Sequence, residues 1–303
     1  MRYDLTQPLV IGISSRALFN LEEENRIFEE EGLDAYTAYQ IEHENDTLQK
    51  GPAFPLVEAF LRHNEPGQDK RVEVIITSKN NPDTSLRIFK SIEAYQLDIT
   101  RAALVSGAEM TPYLKAFQTD LFLSAHAPDV KQAVDNNIAA GRIITRTLPG
   151  SGRIDQIRIA FDGDAVLFAA ESERIFQKQG IEAFQAHEQT HANDPLPRGP
   201  FAHFLMTLSN LQRQFATREE SPIRTALVTS RSAPAHERAI RTLRNWGVRV
   251  DEAFFLGGVT KREILSAFGA HIFFDDQTTH TDPASEVVPS AVVPYREGDD
   301  PHA

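Results

Sequence analysis

Cysteine is absent from this chain of 303 residues. Without thiols the protein can form no disulfide, no thiolate metal site and no cysteine nucleophile, a composition typical of a reducing compartment. Long hydrophobic runs are absent too: no segment approaches the length of a membrane-spanning helix, and the first residues, MRYDLTQPLVIGISS, lack the apolar core of a signal peptide. We therefore expect a cytoplasmic protein with no membrane partner.

Positive charge is scarce, with 31 Lys and Arg against 43 Asp and Glu and a formal net charge of −12. Binding to DNA or RNA requires many cations that face phosphates, so the composition argues against a nucleic acid polymer as partner. A small phosphorylated ligand stays compatible, because a metal ion and one lysine can make a single pocket positive. The length allows two domains, and the sequence leaves the oligomeric state open.

One segment of the chain occurs twice. Residues 19–54 recur at 168–201, with the landmarks Arg-Ile-Phe, Gly, His, Asn-Asp and Gly-Pro in the same order. Such self-similarity predicts two copies of one structural unit. The copies differ in their acids: where the second reads IAFDGDAVLF the first reads VIGISSRALF, so Asp162 and Asp164 correspond to Ser14 and Arg16. Further along, Asp275 and Asp276 correspond to Ser124 and Ala125.

Apolar runs of strand length alternate with helical patterns in both halves, which predicts an α/β fold made of pseudo-duplicated, Rossmann-like parallel sheets. Long segments rich in Glu, Gln, His and aromatic residues follow the first strand of each half, and we expect them to form helical cap insertions. Ligands of such sheets bind beyond the carboxyl ends of the strands. The predicted strands are Leu9 to Ile13, Val72 to Ile76, Ala102 to Val105, Leu121 to Leu123, Ile157 to Phe161, Thr225 to Val228, Ala253 to Leu256 and Ile272 to Phe274.

We divide the chain into a non-catalytic first half, a catalytic second half and two connecting or terminal segments. The expected bounds are 1–128 for the degenerate α/β repeat with its insertion at 20–70, 129–156 for a linker, 157–280 for the catalytic domain with its insertion at 169–223, and 281–303 for an acidic tail.

The segment FDGDAV places Asp162 and Asp164 directly after a buried strand. Alone, it is equally compatible with a β-hairpin that turns at Asp-Gly. The groups that follow favour a chemical site, because Thr229 ends a second predicted strand, Lys261 begins a predicted helix and an acidic pair, Asp275 and Asp276, ends a third strand.

This order resembles the phosphatases of the haloacid dehalogenase superfamily, whose motifs are DxDx(T/V), a Ser or Thr, a Lys and an acidic pair; Val166 fits the first motif. The closer resemblance is to the cytosolic 5′-nucleotidase I family. It is carried, in order, by SSRALF, HEN, GPAFP, FDGDAVLF, TSRSA and FFDDQ, and it covers nearly the whole chain except the tail.

The resemblance implies hydrolysis of a nucleoside 5′-monophosphate, AMP or a deoxynucleotide, through an aspartyl-phosphate. Asp162 would be the nucleophile and Asp164 the proton donor and base. An Mg²⁺ cofactor would be held by Asp162, the backbone carbonyl of Asp164 and Asp275, with Asp276 as an alternate ligand, since hard cations take oxygen ligands.

The same resemblance assigns phosphate binding to Thr229 and Ser230 and charge neutralisation to Lys261. Each has an ordinary structural alternative, because Thr at a strand end is commonly a helix cap and Lys at a helix start is usually solvated. Five further residues are candidates for substrate contact, with cap packing as the alternative for the two histidines: Arg231, His191, Asn193, His43 and Asn45.

Residues His187 to His191 also match the H-E-x-x-H pattern of zinc metalloproteases. The first half has Tyr39 in place of the first histidine, and Asp194 stands where the longer pattern requires glycine. We therefore set this interpretation aside. Two alternatives stay open, a phosphatase of the same superfamily acting on another small phosphate ester and a nucleotide-binding pseudoenzyme.

Overall fold

The computed structural model describes residues 4–144, 146, 152–217 and 219–300. Ten strands occupy these residues: β1 Leu9–Ile13, β2 Val72–Ser78, β3 Arg101–Leu104, β4 Leu121–Ser124, β5 Ala139–Ile143, β6 Ile157–Phe161, β7 Ile223–Thr229, β8 Glu252–Phe255, β9 Ile272–Asp275 and β10 Ser290–Val292. They form one sheet in the order β3-β2-β1-β4-β5-β10-β9-β6-β7-β8. The central strands β1 and β4 are buried along their whole length, as in sheets covered on both faces.

The strand order confirms the duplication. Each half runs third, second, first, fourth, fifth, with parallel pairing between neighbours. The halves meet where β5 pairs antiparallel with β10, with Ala291 opposite Ile143. The mainly parallel α/β fold is as predicted, and the two copies share one continuous sheet and one large apolar core.

Twelve helices connect the strands in the described residues: α1 Ser15–Leu18, α2 Glu22–Glu31, α3 Leu33–Glu42, α4 Phe54–Leu61, α5 Leu86–Ala94, α6 Thr111–Ala116, α7 Ala127–Asp135, α8 Glu171–Thr190, α9 Ala202–Gln212, α10 His236–Asn245, α11 Lys261–Phe268 and α12 Thr278–Ala284. Among them, none has the length and apolar character that crossing a bilayer requires.

The two predicted insertions are helical and bend at equivalent places. In the first half, α2 ends and α3 begins at Gly32, whose φ is 90°, and in the second half α8 bends at Gly180, whose φ is 81°. Only glycine adopts such angles without strain. The repeated Gly-Pro landmark also has a packing cause, because an added Cβ would lie 2.7 Å from the backbone of Phe19 at Gly51 and 2.4 Å from that of Phe168 at Gly199.

Strands β5 and β10 were not predicted. The first lies in the segment 129–156, which was assigned to a linker, and the second in the segment 281–303, which was assigned to a tail. Both are short, and β5 contains Gly141, where an added Cβ would lie 2.9 Å from the side chain of Ala291. Residues 145, 147–151 and 301–303 of these segments, residues 1–3 and residue 218 lie outside the described residues.

Candidate active site

Three neighbouring strands of the second half bring the predicted site residues to one edge of the sheet. Asp162 follows β6 directly, Thr229 ends β7 and Asp275 ends β9, and all three are buried. The backbone N–H of Asp162 donates to the carbonyl of Phe274 at 2.8 Å. Because β9, β6 and β7 are parallel neighbours, their carboxyl ends meet at the same edge.

Lys261 joins two of these acids. Its Nζ lies 2.8 Å from Oδ1 of Asp162 and 2.6 Å from Oδ2 of Asp275. The side chain is buried at the first residue of α11, so it is not the solvated lysine that its position at a helix start would suggest. Thr229 lies beside the turn that carries Asp162, since an added Cβ at Gly163 would be 3.2 Å from Oγ1 of Thr229.

The buried acids do not titrate alike. Burial raises the pKa of Asp162 to about 7, an effect that Lys261 partly offsets and the charge of Asp275 increases. Burial also acts on Asp275, but Lys261 and His280 outweigh it and lower its pKa. For Asp276, burial together with the charges of Asp275 and Asp162 holds the pKa well above its usual range. The three carboxylates together therefore carry more negative charge than the single positive charge of Lys261 can balance.

These acids fit a hard divalent cation. Carboxylate oxygens of Asp162, Asp275 and Asp276 all lie within 4.8 Å of one another, and in the described part of the chain they are the one such group of three or more acidic or histidine side chains. Oδ1 of Asp276 is buried without a hydrogen-bond partner among the described residues. An all-oxygen donor set with an unused carboxylate oxygen suits Mg²⁺.

The carboxylate of Asp164 is directed elsewhere. Both its oxygens accept hydrogen bonds from Arg231, at 2.8 Å from Nε and 2.6 Å from Nη2. The Arg231 side chain is almost completely buried, and its guanidinium carbon lies 5.3 Å from the ring centre of Phe184. Arg231, a candidate for substrate contact, is thus occupied by Asp164.

Arg231 also binds Glu188, which the sequence did not point to as a functional residue. Glu188 accepts hydrogen bonds from Arg231, from Nη1 of Arg238 at 2.9 Å and from Oγ of Ser172 at 2.8 Å. Burial opposes ionisation, but the two arginines and Ser172 prevail and lower the pKa of Glu188. The one signal in the sequence was the H-E-x-x-H pattern, which suggested a different role.

The geometry does not support a zinc site at that pattern. Glu188 is held by two arginines, and the rings of His187 and His191 stack with their centres 4.3 Å apart. Nδ1 of His191 lies 2.9 Å from the carbonyl of His187, so it donates within its own helix. Among the described residues, the group that could hold a metal includes neither histidine.

Of the four other candidates, two make hydrogen bonds, and both of these lie within the first half. Ser230 is exposed. His43 binds Asp46 at 2.7 Å and Asn45 accepts a hydrogen bond from Lys90 at 2.7 Å, both within the first half. Asn193 lines a separate cavity of about 260 Å³. The contacts described for these four do not tie them to Asp162, and their predicted roles stay predictions.

Two residues beside the acids were missed. Nδ1 of His280 lies 3.2 Å from both carboxylate oxygens of Asp275, and the hydroxyl of Tyr295 donates to Oδ2 of Asp276. His280 belongs to α12, which follows β9, so its position after the acidic pair was available in the sequence. Tyr295 could not be found this way, because it reaches the site only through the unpredicted strand β10.

A mainly parallel α/β sheet with helical insertions and a buried Asp-Lys-Asp cluster at its carboxyl edge is consistent with the haloacid dehalogenase-like class. Residues 1–300 match the model of the 5′-nucleotidase family, and the chain belongs to that family. It is 37% identical over 289 residues to cytosolic 5′-nucleotidase 1B of Homo sapiens, a match that covers 92% of this chain and 47% of the relative. The chain thus spans about half the length of that relative, and the family resemblance read from the sequence is confirmed.

Proposed function

We propose that the second half hydrolyses nucleoside 5′-monophosphates, AMP or deoxynucleotides, to a nucleoside and phosphate. The observation that carries this proposal is the buried cluster of Asp162, Lys261 and Asp275 at the carboxyl edge of the sheet. Membership of the 5′-nucleotidase family supports the substrate class.

Asp162 is the proposed nucleophile. Its carboxylate oxygen would form a bond to phosphorus as the bond from phosphorus to the 5′-oxygen breaks, and water would then release phosphate from the aspartyl-phosphate. Lys261 holds Asp162 in place and offsets negative charge. The hydroxyl of Thr229 would donate to a phosphoryl oxygen. Mg²⁺, held by Asp162, Asp275 and Asp276, would supply the positive charge that lets the carboxylate approach a phosphate.

Asp164 is proposed to protonate the departing 5′-oxygen and later to take a proton from the attacking water. Because Arg231 binds both oxygens of Asp164, this proton transfer requires that pair to open. An arriving phosphate is a suitable competitor, since guanidinium groups bind phosphate and carboxylate with similar geometry.

A phosphate-release screen tests the proposed activity. Nucleoside 5′-monophosphates, deoxynucleotides and sugar phosphates would be compared with Mg²⁺ and with a chelator. We expect release from the 5′-nucleotides, loss with the chelator and recovery when Mg²⁺ is restored. A preference for sugar phosphates would favour the broader phosphatase alternative, and nucleotide binding without turnover would favour the pseudoenzyme.

Replacing Asp164 by Asn tests the proton-donor role. A poor alkoxide leaving group needs the proton, whereas an aryl oxide needs it less. We therefore expect Asp164→Asn to lose at least about tenfold more activity on AMP than on an aryl phosphate, within the range typical of general acid catalysis. Equal losses on both substrates would remove Asp164 from this role.

A further inference from the structure

The first half contains a cavity of about 440 Å³, within the size range of small-molecule sites. Ser14, Thr77 and Ser124 line it, at the carboxyl ends of β1, β2 and β4. In the duplicated sheet these strands correspond to β6, β7 and β9, which carry the acids of the second half. The cavity therefore occupies the place in the first half that the candidate active site occupies in the second.

The floor of this cavity is made of hydroxyl groups. Ser14, Thr77 and Ser124 stand where the second half has Asp162, Thr229 and Asp275. Thr77 is only 1% exposed, and its Oγ1 has no hydrogen-bond partner among the described residues. A buried unpaired hydroxyl is unfavourable, so the Oγ1 of Thr77 is available to donate to a ligand oxygen or nitrogen.

Hydroxyl groups can donate to phosphate oxygens without the repulsion that carboxylates cause. Arg16 and Lys79 add positive charge at the wall of the cavity. Each makes a partly exposed ion pair, Arg16 with Glu22 at 2.7 Å and Lys79 with Asp129 at 2.7 Å. Ammonium and guanidinium groups carry several N–H donors, so each cation can donate to a bound phosphate while it keeps its carboxylate partner.

The carboxylates of the cavity wall are already neutralised. Glu24 binds Arg87 at 2.7 Å. Asp129 binds Lys79, and Nδ1 of His126 lies 3.1 Å from its second oxygen. A phosphate in this cavity would therefore meet hydroxyls and cations, with no acidic cluster that demands a metal ion.

Apolar side chains also line the cavity. Leu21, Phe28, Leu33 and Tyr36 line it. Phe28 and Leu33 are 50% and 58% exposed, so part of each side chain is open to contact with a ligand. Phe28 and Tyr36 stand edge to face with ring centres 5.8 Å apart. Such a wall suits a planar heterocycle, because aromatic rings pack against each other in stacked or edge-to-face geometry.

We propose that the first half binds a nucleoside 5′-monophosphate without a metal ion and without hydrolysing it. The phosphate lies against Ser14, Thr77 and Ser124, and the base lies against Phe28 and Tyr36. The nucleotide class of this ligand rests on the function proposed for the second half. Binding itself does not, because it needs none of the acids of that half.

Calorimetric titration of AMP into the full chain carrying Asp162→Asn, in the presence of a chelator, tests the proposal. Without metal the acidic cluster of the second half repels phosphate, and we expect one site per chain. Thr77→Val replaces the unpaired hydroxyl by a methyl group of similar shape. Added to the first change, it should weaken AMP binding about tenfold, the effect of one hydrogen bond to a charged group. The matched change in the other half, Thr229→Val, should leave it unchanged.

Phe28→Ala gives a second test at a half-exposed position, and it should also weaken binding. No binding of AMP at millimolar concentration, or a loss caused by Thr229→Val and not by Thr77→Val, would overturn the proposal. Adenosine binding as tightly as AMP would overturn the assignment of the phosphate. Failure of the proposed activity would show separately, as absence of phosphate release by the unmodified chain with Mg²⁺.

Discussion

The two halves of the sheet have the same strand order and different chemistry at their carboxyl edges. In the second half the edge carries acids, and Arg231 fills the space beside Phe184. In the first half the corresponding edge carries hydroxyls, and Tyr36, the counterpart of Phe184, lines an open cavity. The comparison shows that packing fixed the strands and the bends of the insertions in both copies, while the polar strand ends were free to diverge.

The two halves also balance the charge of an equivalent buried arginine with carboxylates at different positions. Arg87 and Arg238 are equivalent, since each donates Nε to a backbone carbonyl of its insertion at 2.9 Å, that of Asp46 and that of Asp194. In the first half the balancing carboxylate is Glu24 on α2, and Gln40 on α3 stands where the second half has Glu188. In the second half it is Glu188 on α8, with Ser172 in the place of Glu24. A buried arginine requires a carboxylate, but not at a fixed position.

The largest expected effect concerns Asp162, the proposed nucleophile, which has no acidic counterpart in the first half. Asp162→Asn keeps the volume of the side chain and removes its charge. The rate of phosphate release should therefore fall by at least about a thousandfold, as it does in other enzymes whose catalytic nucleophile is replaced. The matched control is Asp155→Asn, an exposed acid just before β6, which should change little. Activity close to that of the unmodified chain in Asp162→Asn would contradict covalent catalysis at this residue.

The next largest effect concerns Arg231 and Lys79, the cations that follow the equivalent strands β7 and β2. Arg231 is almost completely buried against Asp164 and Glu188, whereas Lys79 is 37% exposed beside Asp129. Arg231→Met leaves Asp164 without its partner and Glu188 with Arg238 as its remaining cation, and it should lower the free energy of unfolding by about 3–5 kcal/mol. Lys79→Met should cost less than about 1 kcal/mol. Urea denaturation measures both, and equal losses would show that the two edges are not as different as the contacts suggest.

Much of this architecture could be predicted from the sequence, and the failures have physical causes. Strands β1 and β6 have the predicted bounds and helix α11 begins at the predicted Lys261, because buried apolar runs and a helical period are local signals. Strand β5 reads AAGRI, with a glycine and no alternation of apolar and polar residues, and β10 has three residues, so neither carries a local strand signal. The pairing of Arg231 with Asp164 and Glu188 joins distant segments, so no local pattern contains it.

A smaller effect is expected from Glu188, whose place in the first half is taken by Gln40. The folded pKa of Glu188 lies below its ordinary value of 4.5, so its contribution to stability is complete above that value and is lost as pH falls through the folded pKa. Glu188→Gln should therefore lower the free energy of unfolding by about 1.5–3 kcal/mol at neutral pH. The gap to the unmodified chain should narrow as the pH is lowered below about 4.5.

Unfolding curves measured between neutral pH and the acid range test the Glu188 prediction. Glu182→Gln, an exposed acid on the same helix, is the control and should give a curve parallel to that of the unmodified chain. A gap for Glu188→Gln that stays constant with pH would mean that Glu188 acts by packing alone.

The smallest effect comes from a contact between the halves. Nε2 of His203 in α9 lies 3.5 Å from Oδ1 of Asp120, which precedes β4, and the hydrogen bond to Asp120 raises the pKa of His203 against the effect of burial. Its contribution is therefore complete below the ordinary value of 6.5 and is lost as pH rises through the raised pKa. Since the His203 side chain is 76% exposed, solvent and salt screen the pair, and we expect only a few tenths of a kcal/mol. The free energy of unfolding of His203→Gln should differ from that of the unmodified chain at pH 6 in low salt, and the difference should be much smaller at pH 8 or in high salt. The same difference under all three conditions would show that charge does not link the two halves at this point.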